Sequence, residues 1–196
     1  MRNSVSIGDG LFKTTDGGVS WNQQTAPGLN ADVKGVSMIN SNTGWVSAGD
    51  NYNGFIYKTI NGGEDWIDQT PPANSEIFDI QMFDENNGYL CGNLMIKKTT
   101  DGGSNWENIP NPFPANCWIS LKFTSPLVGY VSTFFGTIKT TDGGQNWSYK
   151  LTPNLLLNTA LGNSRIFALS ADTLYAASMQ SGILKYTSQN PIGITH

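Results

Sequence analysis

The chain has 196 residues, 38% hydrophobic and only 13% charged, with a net charge of −4. That balance excludes a disordered chain and allows one well-buried domain. With 11 basic against 15 acidic residues there is no positive surface for nucleic acid or an anionic membrane, and no run approaches the roughly 18 apolar residues of a membrane-spanning helix.

The opening MRNSVSIGDG has no apolar core of an export signal. Within it, residues 5–8 match 46–49, so the first unit is expected to open at its second strand. The first of four related stretches follows: KTTDGGVSW at 13–21, then KTINGGEDW at 58–66, KTTDGGSNW at 98–106 and KTTDGGQNW at 139–147. The tryptophans recur at 21, 66, 106 and 147, and self-similarity at a period of roughly 20 to 50 residues marks solenoids, propellers and arrays. Each stretch leads a short run into Asp-Gly-Gly or Asn-Gly-Gly and returns through Trp, which predicts a β-hairpin. The Asp or Asn side chain accepts hydrogen bonds from nearby amides and the glycines supply positive φ. The Trp is a hydrophobic plug with one N–H that needs a partner.

Between the stretches, three units read as four strands each. The second unit has strands at 33–39, 45–48, 55–59 and 66–69; the third at 77–83, 88–91, 95–99 and 106–109; the fourth at 118–123, 130–133, 137–140 and 147–150. An aromatic at Trp45, Tyr89 or Tyr130 opens or sits early in each second strand and is expected to pack between units. A last unit has strands at 165–169, 174–177 and 183–186, with no Asp-Gly-Gly after Thr187 and a tail expected to give only a short, Pro-bearing fourth strand. Four short strands every 40 to 45 residues select a β-propeller. The expectation is an all-β single domain over 1–196, with about 18 or 19 strands in five blade-like units at 1–27, 28–71, 72–110, 111–152 and 153–196, either a ragged five-bladed ring or part of a larger one.

The pattern Thr-x-Asp-Gly-Gly-x-x-Trp resembles the Asp-box, or bacterial neuraminidase repeat. Its Gly-Gly form is most similar to photosystem II assembly-factor-like propellers, and similar boxes occur in sortilin-type receptors, sialidases and xyloglucan-active hydrolases. The resemblance implies that each box joins the third and fourth strands of a blade, away from the functional face. Asp16, Asn61, Asp101 and Asp142 with Trp21, Trp66, Trp106 and Trp147 are then structural. Asn61 supports this reading, because a turn acceptor survives a change from Asp to Asn and a general acid does not.

The opposite face, made by loops between units and between second and third strands, is the expected binding surface. Its exposed aromatics, Tyr52, Phe113, Phe134 and Phe135, are the candidate ligand-binding residues for a protein partner or a sugar ring; the alternative is that they fold back and seal the blades. Asp32, Asp50, Glu76 and Asp79 lie in or beside these loops, in no catalytic motif. Arg2 and Arg165 are the only arginines, too few for the cluster that sialidases use, and His196 is the only histidine, which leaves no material for histidine triads or zinc sites. No cofactor or metal site is expected. Cys91 and Cys117 read as buried free thiols, with a bridge between neighbouring blades as the alternative.

The expected function is therefore a non-enzymatic scaffold or protein-interaction module. A carbohydrate-binding or xyloglucanase-like propeller is the alternative. The low-charge composition resembles exported bacterial propellers, so an extracellular or cell-surface setting is expected, with a signal peptide and further sequence belonging to a longer parent. Open blade edges are expected to invite self-association.

Overall fold

The computed structural model describes residues 10–25, 32–49, 52–72, 75–110, 118–133, 136–151, 165–178, 182–187 and 190–195. These form strands without any helix, and every pairing is antiparallel. A hairpin of β1 (Leu11–Lys13) and β2 (Asn22–Gln24) comes first. Four meandering four-stranded sheets follow. The second sheet is β3 (Asp32–Met38), β4 (Gly44–Gly49), β5 (Gly54–Thr59) and β6 (Ile67–Asp68); the third is β7 (Ile77–Met82), β8 (Gly88–Gly92), β9 (Met95–Thr99) and β10 (Glu107–Asn108). The fourth is β11 (Trp118–Phe123), β12 (Gly129–Thr133), β13 (Gly136–Thr140) and β14 (Ser148–Leu151); the fifth is β15 (Arg165–Ser170), β16 (Thr173–Ser178), β17 (Gly182–Thr187) and β18 (Asn190–Thr195).

The first strands of successive sheets pack side by side, β3 on β7, β7 on β11 and β11 on β15. Their side chains alternate between the two neighbouring sheets. Ile80 and Met82 turn back onto Trp45 and Ile56 of the second sheet, and Leu121 and Phe123 turn back onto Tyr89 and Ile96 of the third. Burying such side chains stabilises the fold by about 1.5–3 kcal/mol each. The alternate residues face forward and hold the backbone of the next sheet. Met82 N donates to Ser37 Oγ at 2.8 Å, Phe123 N donates to Gln81 Oε1 at 2.8 Å, and Gln81 Nε2 donates to Phe123 O at 3.0 Å. First strands are sheet edges, and these side chains occupy edge amides and carbonyls that would otherwise be open to pairing.

A second latch is built by the aromatics of the second strands. Trp45, Tyr89 and Tyr130 are fully buried, and each donates forward to a turn of the next sheet: Trp45 Nε1 to Gly102 O at 3.0 Å, Tyr89 Oη to Pro126 O at 2.9 Å and Gly143 O at 3.3 Å, Tyr130 Oη to Ala171 O at 2.5 Å. The lysine that begins each of the last three repeated stretches lies over the same ring, Lys58 at 4.6 Å from Trp45, Lys98 at 5.9 Å from Tyr89 and Lys139 at 5.3 Å from Tyr130. Lysine, aromatic ring and turn carbonyl thus form one repeated seam, with a cation–π contact added to the burial.

Three expectations need correction or closer definition. The last strand, β18, is six residues long and pairs with β17 as far as Ile183↔Thr195, although Pro191 was expected to cut it short. Pro is tolerated because β18 is an edge, where a missing N–H breaks no second ladder. The fourth strands β6 and β10 are only two residues long, and single bonds from Gln69 N to Ile56 O and Ile109 N to Ile96 O extend them. The indole N–H groups of Trp66, Trp106 and Trp147 have no hydrogen-bond partner among the described residues, against the expectation that each finds one. Trp66 and Trp147 lie against the second glycine of their own turns. Cys91 is buried and free, its thiol pushed well up by burial; Cys117 and residues 5–8 lie outside the described residues.

Candidate functional site

Two constructions carry the polar chemistry, the repeated turns and a cluster where the first strands begin. In each turn a Thr and an Asp or Asn bind one another and the backbone around the glycines. Thr140 Oγ1 donates to Asp142 Oδ1 at 2.8 Å and accepts from Gly144 N at 2.8 Å, while Asn146 N donates to Asp142 Oδ1 at 2.9 Å. Asn146 Nδ2 donates to Asp142 Oδ2 at 2.8 Å, and Asn105 to Asp101 at 2.7 Å in the same way. In the second stretch the pair is reversed, with Asn61 Nδ2 donating to Asp65 Oδ2 at 2.9 Å. One amide and one carboxylate are kept, with their positions exchanged. Ser20 Oγ takes the donor's place beside Asp16 at 2.6 Å. These bonds favour the ionised acid: Asp16 is drawn down to about 2 chiefly by Ser20, Asp142 to about 2 chiefly by the Asn146 amide, and Asp101 is lowered by Asn105.

The second construction joins four sheets. Lys34 Nζ on β3 lies 3.5 Å from Asp32 Oδ2 and 3.7 Å from Glu76 Oε1, just before β7. Arg165 opens β15, donates through Nη2 to Lys34 O at 3.0 Å and places Nη1 3.8 Å from Asp79 Oδ2. Asp79 on β7 also accepts from Ser120 Oγ at 2.9 Å and Leu121 N at 3.1 Å on β11, and its Oδ1 accepts from Ile80 N at 3.0 Å. Arg165 thereby ties the fifth sheet to the second, 131 residues away in the chain. Gly35 makes room for this: a Cβ there would lie 2.9 Å from Asp79 Oδ1 and 2.8 Å from Ser47 Oγ. Burial raises the Asp79 pKa, with Ser120, Leu121 and Arg165 pulling the other way.

The cluster opens at the end of the sheets where the loops between second and third strands also lie. Asn93 N donates to Glu76 O at 2.9 Å, and Ser75 Oγ donates to Asn93 O at 2.9 Å. Tyr52, in the loop joining β4 to β5, belongs to this end and is 81% exposed. Phe113, Phe134, Phe135 and Asp50 lie outside the described residues. Three of the four acids noted from sequence, Asp32, Glu76 and Asp79, are brought together here. Lys34, Ser120 and Arg165 were not anticipated as their partners. The legible signal was an Asp inside the apolar strand IFDIQM, paired in register as Gly35 and Ser120 are in the neighbouring sheets.

Chemically, the cluster is a staple. Both oxygens of Asp79 are occupied, and Asp32 and Glu76 share one ammonium. A general acid–base pair needs a carboxylate oxygen turned to the substrate. Among the described residues no group of three or more His, Cys, Asp or Glu side chains is placed to hold a metal ion.

No protein-family model matches the chain, and no curated protein matches its sequence. Its structure is similar to that of the Niastella koreensis GH74 enzyme, with a TM-score of 0.72 and 15% identity over 93% of this chain and 33% of that one. It is similar also to virginiamycin B lyase from Staphylococcus aureus, with a TM-score of 0.69 and 16% identity over 93% and 61%. YCF48 from Cyanidioschyzon merolae gives a TM-score of 0.68 and 16% identity over 91% and 60%. The fold is that of a β-propeller. The sheets are its blades, and the chain spans between a third and about three fifths of these three propellers. At such identities the likeness carries the fold and leaves chemistry to the site itself.

Proposed function

We propose that the chain is a non-enzymatic propeller module that binds a protein partner on its loop face, in an exported or cell-surface protein, and that its Thr-x-Asp/Asn-Gly-Gly turns are Asp-boxes. One observation carries the reading: Asp32, Glu76 and Asp79, acids of the loop-side cluster, are each bridged to Lys34 or Arg165. Their engagement supports a structural role for these three acids and speaks against the glycosidase reading, which needs a pair of available carboxylates. The five units at 1–27, 28–71, 72–110, 111–152 and 153–196 make one body, the first contributing an outer hairpin. Tyr52, with Phe113, Phe134 and Phe135, supplies the aromatic contact surface.

The test is site-specific crosslinking. A photoreactive phenylalanine analogue replaces Tyr52 on the loop face or Glu107 on the outer strand β10, and each protein is irradiated in an extract of its source cells. The expected result is a discrete adduct with a polypeptide from position 52 and none from position 107. Release of reducing sugar from xyloglucan by the unmodified protein, abolished by Asp79→Asn, would overturn the reading.

A further inference from the structure

Each internal seam has two halves. The forward half is an aromatic on a second strand with a lysine over it. In the seams made by Trp45 and Tyr89 the receiving half is the Gly-Gly turn of the next blade, reached at Gly102 and Gly143, whereas Tyr130 reaches the β15–β16 turn at Ala171. An added Cβ at Gly62 would lie 2.9 Å from Lys13 Nζ, at Gly102 3.1 Å from Lys58 Nζ, and at Gly143 3.2 Å from the Tyr89 hydroxyl.

Among the described residues, the two ends of the series each present one half without its counterpart. On the fifth blade, Ile166 and Ala168 pack back onto Tyr130, which turns Phe167 forward, where it is 57% exposed, with Leu169 at the following bulge 65% exposed. Beside Phe167 in register stands Tyr175, with Lys185 5.7 Å over its ring. This is the arrangement of Trp45 with Lys58 and Tyr130 with Lys139, without a turn to receive the hydroxyl among the described residues. On the first hairpin the receiving half is open. A Cβ at Gly17 would meet nothing within 4 Å, one at Gly18 would meet only Trp21, and Val19 and Trp21 are 87% and 60% exposed.

We propose that a second copy of this chain docks its first hairpin, β1–β2, onto the forward face of the fifth blade, with Tyr175 reaching the Gly17–Gly18 turn and Phe167 covering Trp21. The interface repeats the ring-to-Gly-Gly-turn seam that the molecule builds twice, from Trp45 to Gly102 and from Tyr89 to Gly143, and each face carries the half that the other lacks. It is heterologous, head to tail, so it joins unlike faces and either closes into a ring or extends. The proposal is independent of the loop face and of any ligand there.

Sedimentation velocity on the whole chain tests it, across a concentration series and with far-UV circular dichroism to confirm folding. Wild type is expected to rise above its 21.3 kDa monomer mass as concentration increases. Trp21→Glu and Phe167→Glu, both at exposed positions, should each lower the association constant at least tenfold. The deciding sample is their equimolar mixture. One partner keeps an intact blade face and the other an intact hairpin, so the mixture should form a 1:1 dimer that neither makes alone. Tyr175→Phe, which deletes only the hydroxyl, should weaken association about fivefold, as for one net hydrogen bond. A wild type that stays monomeric throughout, as closure of the hairpin onto its own fifth blade would give, overturns the proposal. So does association that both glutamate variants retain, or a mixture of folded variants that stays monomeric.

Discussion

The seam between the second and third blades and the seam in front of the second blade use equivalent residues with different outcomes. Ile80 and Met82 on β7 are 2% and 5% exposed, closed off by Trp45 and Ile56. Val36 and Met38, at the same register on β3, are 49% and 46% exposed beside the hairpin β1–β2. Apolar character alone does not bury a residue in a propeller. The preceding blade must supply a ring and a first strand to lie against, which makes stability a property of neighbouring pairs.

Breaking the sealed seam should cost far more than the same change in the open one. Trp45→Ala is expected to lose about 3–5 kcal/mol in urea denaturation, and Trp21→Ala less than about 1 kcal/mol in the monomer; similar losses for the two would remove the distinction. Ile80→Ala should lose about 2–4 kcal/mol against less than about 1 for Val36→Ala, read from the same midpoints.

The turns sharpen the contrast further. Gly102 and Gly17 have φ values of 70° and 73°, so alanine is strained equally at both. A Cβ at Gly102 would also stand 2.4 Å from the Glu85 carbonyl oxygen, whereas at Gly17 it meets nothing within 4 Å. Gly17→Ala should therefore cost about 1–2 kcal/mol of backbone strain and Gly102→Ala clearly more, a difference measurable by thermal melts. Tyr89→Phe keeps the ring stacked 4.0 Å from Phe123 and removes only the bonds to Pro126 and Gly143, for an expected loss of about 1 kcal/mol.

The smallest effect is on pH dependence. The folded-state pKa of Asp142, about 2, lies below its usual 3.8. The unfolded chain thus binds the proton more readily, and the contribution to stability is complete above pH 3.8 and lost as pH falls towards 2. Asp142→Asn should flatten this part of the acid-unfolding curve, because Asn61 shows that the turn accepts an amide. A curve as steep as wild type would mean that another group titrates there.

Much of the fold was legible. The four repeated stretches fixed the turns, and the short runs at regular spacing between turn signals placed strands to within a residue or two of β7 and β12. The exchange of Asp101 and Asn105 for Asn61 and Asp65 was also written in the chain, although its meaning needed the bond between those side chains. The loop-side cluster was harder to see. Asp79, Ser120 and Arg165 belong to three different repeats, and nothing local says that their side chains converge.

The sequence by itself determined the local units, because a hairpin is set by glycines that accept positive φ, by a Thr and an Asp or Asn that hold the turn, and by strands with a period of two. Only the tertiary structure decided which apolar faces are covered, that Asp32, Glu76 and Asp79 are stapled by Lys34 and Arg165, and that Trp21 on the first hairpin and Phe167 on the fifth blade are exposed. The physical reason is that burial and ion pairing depend on the distance between repeats, whereas a turn depends only on its own few residues.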